Sequence, residues 1–176
     1  MGGTIEAAPP AASVDTRLSR IESFTQETVR VILRNSPGCS WVDSSGGYAR
    51  VDGLLVSNRG ELLALYEIKC RNVSVTDLFG KFDAELMVDA GKLNSMQSIS
   101  RMMCARSYLV SYLTPNGVVL QTQITNDSGE LVCQNRIEST TAPAGMGRGL
   151  VEKEAAYIRL DGTTKILSTK EAKRKV

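Results

Sequence analysis

The sequence predicts an α/β fold in which a central mixed β-sheet begins with a β-hairpin and is flanked by helices. Three features predict it: an amphipathic helical pattern near the start of the chain, two apolar strand patterns joined by a turn, and alternating helical and strand patterns after them. With 176 residues, of which 42% are hydrophobic, the chain has enough residues for one compact domain and too few for two large ones.

The first predicted element is a helix over residues 15–35. Ile21, Phe24 and Thr28 recur at three- and four-residue spacing, which is the period of a helix with one buried face. Residues 1–14 contain Ala-Ala-Pro-Pro-Ala-Ala and show no period, so we expect a disordered N-terminal arm there.

A hairpin and two helices are predicted next. Strand patterns at 48–56 and 62–69 flank a Ser-Asn-Arg-Gly sequence at 57–60, which is typical of a turn. Helical patterns follow at 77–87 and 93–105. These two helices and the first one are expected to flank the sheet that the hairpin begins.

Later strands are predicted to extend the sheet. They cover residues 107–113, 118–124, 131–137, 157–160 and 164–167, and the last two, which flank Asp161-Gly162, are predicted to form a hairpin. Residues 138–150 are rich in small side chains, and we expect a flexible loop there. Residues 170–176 are expected to be a solvated basic tail, which leaves one domain over 15–169.

Histidine is absent from the sequence, and this excludes several kinds of catalytic site at once. Hydrolases with a histidine base and zinc sites of the HExxH kind are ruled out. Carboxylates without imidazole suit hard ions, so a bound metal is expected to be Mg²⁺ or Mn²⁺. The glycines at 145–149 lack the Lys-Ser end of a phosphate loop, and no organic cofactor is expected.

The rest of the composition indicates a cytoplasmic protein. Four cysteines are scattered without CxxC spacing and are expected to be reduced. No apolar run approaches the roughly 20 residues of a membrane span, so we expect no membrane association. The net charge is only +2, and any contact with a nucleic acid is therefore expected to use local patches.

Two acids and a lysine are expected to converge beside the predicted hairpin. Asp52 and Glu67 lie at similar distances from the turn at Asn58, and Glu67 and Lys69 point to the same face because they are two residues apart. A divalent ion held by Asp52, Glu67 and the Ile68 carbonyl would relieve the repulsion between the acids. Lys69 would orient or deprotonate the attacking water, so the pattern predicts phosphodiester hydrolysis.

Asp52 followed by Glu67-Ile68-Lys69 resembles the signature of the PD-(D/E)xK nuclease superfamily, with Val51 in place of the usual proline. The order of elements over 15–113 is similar to that family's, and residues 92–97 with 108–112 resemble phage and virus-type replication-repair nucleases and junction resolvases. The resemblance implies a restriction-endonuclease-like core. It also implies a Mg²⁺- or Mn²⁺-dependent endonuclease that acts on DNA, branched or single-stranded DNA included, in phage replication, recombination or genome processing.

Further site residues follow from the same resemblance. Gln97 of the later helix and Glu27 of the first helix, with Glu22 as its alternative, are expected to join the catalytic residues. Arg71 and Lys92, and with less support Arg59, are expected to contact nucleic-acid phosphates. A symmetric substrate would require a homodimer.

Three alternatives without catalytic activity stay open. The first is a non-catalytic nucleic-acid-binding domain on the same scaffold, and the second is a structural or interaction protein of a phage particle. The third treats Glu67 and Lys69 as an exposed ion pair on an edge strand, where such a pair contributes little to stability. The sequence does not distinguish DNA from RNA, or internal cleavage from cleavage at ends.

Overall fold

A computed structural model describes residues 14–44, 50–143 and 150–168, which form three helices and nine strands in two sheets. The helices are α1 (Val14–Asn35), α2 (Val75–Gly80) and α3 (Ala90–Met103). The strands are β1 (Cys39–Asp43), β2 (Gly53–Ser57), β3 (Leu62–Arg71), β4 (Glu85–Asp89), β5 (Arg106–Leu113), β6 (Val118–Thr125), β7 (Asn135–Pro143), β8 (Leu150–Arg159) and β9 (Thr164–Ser168). Among the helices described, none has both the length and the apolar character that crossing a bilayer requires.

The larger sheet has the strand order β1-β2-β3-β5-β6-β9 and is mixed. Strands β3 and β5 are parallel, and the other neighbouring pairs are antiparallel. Parallel neighbours need a crossover connection, and α3 lies in that connection. The predicted α/β class with a central mixed sheet is therefore confirmed, and β6 and β9 extend the sheet as expected.

The two faces of the larger sheet are covered by different elements. Ile32 of α1 is buried in one cluster with Tyr66 of β3, whereas Leu93 of α3 is buried in another cluster with Leu65. Alternate side chains of a strand point to opposite faces. Glu67 therefore points with Leu65 toward the face that α3 covers, and away from α1.

The smaller sheet has the order β4-β8-β7, and its first strand corrects a prediction. We predicted a helix over 77–87, but α2 ends at Gly80 and residues 85–89 form β4. Asp83 and Ala84 have left-handed backbone angles (φ 51° and 57°), which a helix cannot continue through. Leu86 and Val88 are then buried at the two-residue period of a strand.

The predicted loop at 138–150 is also wrong over the part that the structure describes. Strands β7 and β8 pair without interruption from Asn135↔Ile158 to Pro143↔Leu150, and residues 144–149 lie outside the described residues. Small side chains do not prevent pairing, because the backbone hydrogen bonds of the ladder are independent of side-chain size. This leaves a two-stranded ribbon beyond Asp89↔Ala155, where β4 ends.

Two other predictions about the C-terminal strands fail for related reasons. Strands β8 and β9 do not form a hairpin, since β8 belongs to the smaller sheet and β9 pairs with β6. The strand predicted at 131–137 begins only at Asn135, and Leu131 makes an isolated bridge to Thr125. Both outcomes depend on which strands pair over long distances in the sequence, and local periodicity does not predict that pairing.

The predicted hairpin at 48–69 is confirmed as β2 and β3, although β2 begins at Gly53. Strand β1, which the sequence did not predict, pairs with β2 on its other side. Gly53 is required there, because a Cβ atom would lie 2.1 Å from Cζ2 of Trp41. Residues 48 and 49, the predicted arm up to residue 13 and the predicted basic tail lie outside the described residues.

Candidate active site

Asp52 is fixed at the point where the β2–β3 ladder ends. Its backbone N–H donates to the Tyr66 carbonyl (2.8 Å), and its Oδ2 accepts the backbone N–H of Ile68 (2.6 Å). The carboxylate thus accepts the Ile68 N–H, which would otherwise donate to a backbone carbonyl if the β2–β3 ladder continued. This hydrogen bond holds Asp52 beside Glu67, which lies between Tyr66 and Ile68.

Glu67 is a fully buried carboxylate between two lysines. Lys69 Nζ lies 2.6 Å from Oε1, Lys92 Nζ lies 2.9 Å from Oε2, and only 1% of the Glu67 side chain is exposed. Each oxygen of Glu67 therefore faces one ammonium group, and the two ion pairs balance the buried negative charge.

Lys92 reaches this carboxylate from the first turn of α3. The Asp89 side chain caps the helix by accepting the backbone N–H groups of Gly91 (2.9 Å) and Lys92 (3.3 Å). A cation is unfavourable at a helix N-terminus, where the helix dipole is positive. Glu67 and Asp89 offset that cost, so the position of Lys92 depends on the acids around it.

Burial sets the electrostatics of the cluster formed by Asp52, Glu67, Lys69 and Lys92, which we call the carboxylate cluster. The pKa of Asp52 is raised above its usual value, first by burial and then by the neighbouring charge of Glu67. The Ile68 N–H and the two lysines act in the opposite direction without cancelling the rise. Ionised Asp52 is therefore under electrostatic strain at neutral pH.

The oxygen donors of the cluster are of the chemical kind that a small divalent cation binds. In an antiparallel pair, the N–H and C=O of one residue face the same neighbour. Because the Ile68 N–H faces Asp52, the Ile68 carbonyl faces the same edge, beyond the start of β2. Across the described ranges no group of three or more acidic or cysteine side chains converges, so the protein would supply two carboxylates and one carbonyl. Mg²⁺ accepts such a set because it keeps several water ligands.

Arg71, which we predicted as a phosphate contact, lies two residues beyond Lys69 on the same strand. Its Nη2 donates to the Met87 carbonyl, and burial lowers its pKa. Its buried Nε has no hydrogen-bond partner among the residues that the structure describes. Arg59 instead lies in the exposed turn at the opposite end of the hairpin, away from the carboxylate cluster.

The structure does not bring the two helix candidates into the cluster. Glu27 pairs with Arg30 (3.6 Å) on α1, and that helix packs on the other face of the sheet. Glu22, its alternative, is an exposed residue of the same helix. Gln97 lies about 7.5 Å farther along α3 than Lys92, and its carbonyl lies against Gly129. Their catalytic roles stay predictions, without a described contact to support them.

Sequence reasoning missed that Lys92 pairs directly with Glu67. We predicted Lys92 only as a phosphate contact, because the sequence shows no link between it and the hairpin. The available signal was Asp89, an N-cap residue three positions earlier that places Lys92 in a first helical turn. The first turn of α3 lies over Glu67 because α3 belongs to the crossover from β3 to β5, and the sequence alone does not show that crossover.

Comparisons with known proteins give no match. No family model matches the sequence, and neither the curated proteins nor the solved structures contain a significant relative.

Proposed function

We propose that this chain is a metal-dependent nuclease of the PD-(D/E)xK type, with a restriction-endonuclease-like core, that hydrolyses phosphodiester bonds in DNA. One observation supports the proposal most strongly: a fully buried carboxylate, that of Glu67, lies between two lysines at the open end of the hairpin. Asp52 lies at the same end of the hairpin. Mg²⁺ or Mn²⁺ is the expected cofactor.

The free energy needed to bury the charges of the carboxylate cluster indicates that these residues are there for a function and not for stability. Glu67 shares its face of β3 with the apolar side chain of Leu65, and removing a charge from water costs several kcal/mol unless its partners compensate fully. Here two ion pairs balance the charge of Glu67, but burial still disfavours ionised Asp52. Replacing buried ion pairs by apolar residues of similar volume is often neutral or stabilising, so stability alone does not explain these charged residues. Groups with perturbed pKa values in such a setting are typical of functional sites.

Each residue of the cluster has a role in the proposed reaction. Asp52, Glu67 and the Ile68 carbonyl would hold the ion, which when bound supplies charge neutralisation at the phosphate and a more acidic water. Lys69, whose side chain is 39% exposed, can hold or deprotonate the attacking water at the mouth of the site. Lys92 is 25% exposed and can donate to a phosphate oxygen as charge builds up on it.

A cleavage assay with Lys69→Ala tests the proposal. Linear, circular, single-stranded and branched DNA would be incubated with the protein and Mn²⁺. We expect metal-dependent cleavage of at least one substrate, and a loss of about 100-fold or more in Lys69→Ala because proton transfer is removed. Lys165→Ala is the matched control, since Lys165 is an exposed lysine on β9 outside the cluster.

Two outcomes would overturn the proposal. Equal cleavage by Lys69→Ala and the wild type would assign the activity to a contaminant. No cleavage of any substrate, with tight DNA binding retained, would favour a non-catalytic binding domain.

A further inference from the structure

A cavity opens beside the carboxylate cluster, between the end of β3 and the smaller sheet. It has a volume of about 480 Å³, and Arg71 and Met87 line it. The same two residues line a second cleft of about 220 Å³ that also includes Lys69. Arg71 and Met87 thus lie between the cleft that includes Lys69 and the larger space, which we call the Arg71 cavity.

Two aromatic side chains line the Arg71 cavity. One of them is Phe82, which is 53% exposed. Tyr157 lines it as well, with the guanidinium of Arg136 at 4.1 Å from its ring centroid. Exposed rings beside guanidinium groups offer stacking faces for a flat ligand.

The charge of the lining shows which part of a nucleic acid the cavity suits. Arg71, Lys81 and Arg136 contribute three positive charges, and Asp83 and Glu85 contribute two negative ones. A duplex binds mainly through many phosphate contacts, which a lining with a net charge of +1 does not provide. Stacking on a base needs no such field. The lining therefore suits a base better than a run of phosphates.

Arg71 contributes a positive charge to this lining. Its Nη2 donates to the Met87 carbonyl, and its Nε is buried without a hydrogen-bond partner among the residues described. The charge of the guanidinium would attract the phosphate of a nucleotide bound in the cavity.

The backbone that carries Phe82 is held in a strained turn. Asp83 and Ala84, which follow it, both have positive φ angles, and such angles are costly for residues other than glycine. The turn persists because the Glu85 N–H donates to the Phe82 carbonyl (2.8 Å) and the Ala84 N–H to the Leu78 carbonyl (2.9 Å). The backbone of Phe82 is thereby fixed at the lining of the cavity.

We infer that the Arg71 cavity binds one unstacked nucleotide of a single-stranded segment, next to the phosphodiester at the carboxylate cluster. The base stacks on Phe82, and the charge of Arg71 attracts the phosphate of the same nucleotide. This inference rests on the proposed nuclease function and names its substrate class: DNA with a single-stranded or frayed segment. Arg71 lies roughly 7 Å from Lys69 along β3, so a nucleotide and its neighbouring phosphate can occupy both places.

Binding without metal tests the inference independently of cleavage. Fluorescence anisotropy in EDTA would compare three ligands, namely a thymidine 12-mer, an abasic strand of the same length and a blunt duplex. We expect Phe82→Ala to weaken binding of the thymidine strand by about 5- to 100-fold, because one stacked base is lost. Phe79→Ala is the matched control, since Phe79 is 56% exposed on α2 but lines a different cavity.

The abasic strand shows whether the loss comes from the base. If the cavity binds a base, wild type binds the abasic strand more weakly than the thymidine strand, and Phe82→Ala causes no further loss with it. Equal affinity of Phe82→Ala and wild type for the thymidine strand would overturn the inference, and so would equal losses in Phe82→Ala and Phe79→Ala. Base-dependent binding in a protein that does not cleave DNA would retain the cavity and overturn only the proposed nuclease function.

Discussion

Two clusters of acidic and basic side chains behave in opposite ways. On the smaller sheet, Arg136 pairs with Glu85 (2.7 Å) and Glu138, and the side chains of Arg136 and Glu138 are about half exposed. In the carboxylate cluster, Lys69 and Lys92 pair with the fully buried Glu67. Both clusters combine acids with bases, and they differ in their access to water.

The difference is visible in the pKa shifts. Arg136 lowers the pKa of Glu85, so ionised Glu85 is favoured in the folded protein. Burial raises the pKa of Asp52, so ionised Asp52 is disfavoured. The exposed cluster is an ordinary surface network that contributes little, whereas ionised Asp52 in the buried cluster opposes folding at neutral pH. Such an arrangement is expected where chemistry, and not stability, fixes the residues.

The largest expected effect is that of Glu67→Gln. We predict a loss of about 100- to 1,000-fold in Mn²⁺-dependent cleavage, because a charged oxygen is removed from the metal ligands and from the charges around the phosphate. The free energy of unfolding should fall by about 1–3 kcal/mol, less than for a fully buried pair, since the released lysines can turn toward solvent. Initial cleavage rates and urea denaturation measure the two effects.

Glu138→Gln is the matched control, because it makes the same chemical change in the exposed cluster. We expect no measurable change in cleavage or in the free energy of unfolding. If both glutamines lowered stability equally, burial would not distinguish the clusters and the comparison would fail.

A smaller effect with the opposite sign is expected for Asp52→Asn. Since the folded pKa of Asp52 is raised, the folded state binds a proton more tightly, and this contribution to stability is lost as the pH rises through the folded pKa. Asparagine removes the charge and can still accept the Ile68 N–H. We therefore predict a free energy of unfolding at pH 7 that is higher than in wild type by less than about 1 kcal/mol, because solvent screens a partly buried charge.

Urea denaturation between pH 3 and pH 8 measures this difference. The gain of Asp52→Asn should shrink as the pH falls toward 3.8 and vanish below it. Glu85→Gln should show the reverse: a slight loss at pH 7 that begins to shrink below pH 4.5. It should vanish only below the lowered folded pKa of Glu85, because this contribution to stability is fully present above the unfolded pKa and is lost as the pH falls through the folded pKa. A loss of stability in Asp52→Asn at pH 7 would contradict the strain assigned to this carboxylate.

The sequence contained the hairpin and the convergence of Asp52, Glu67 and Lys69, because strand period and turn position are local properties. It did not contain β4, since Leu86 and Val88 follow a helical segment that only the left-handed Asp83 and Ala84 interrupt. Only residues 135–137 of β7 and 157–159 of β8 were predicted as strand, because the small and polar side chains of the remaining residues show little periodicity.

Only those residues of the site whose positions follow from the local geometry of the hairpin could be predicted from the sequence. The place of Lys92 depends on the crossover that puts the α3 N-terminus over Glu67, and the place of Glu27 depends on which sheet face α1 covers. Neither can be derived from residue spacing along the chain. The Arg71 cavity likewise forms only where the end of β3 meets the smaller sheet.

Calorimetric titration with Mn²⁺ tests most directly whether the buried acids form a metal site. Wild type and Glu138→Gln should each bind one Mn²⁺, and Asp52→Asn should lose that binding although it remains folded. Binding of the same strength in Asp52→Asn, or no binding in wild type, would contradict the account of the carboxylate cluster.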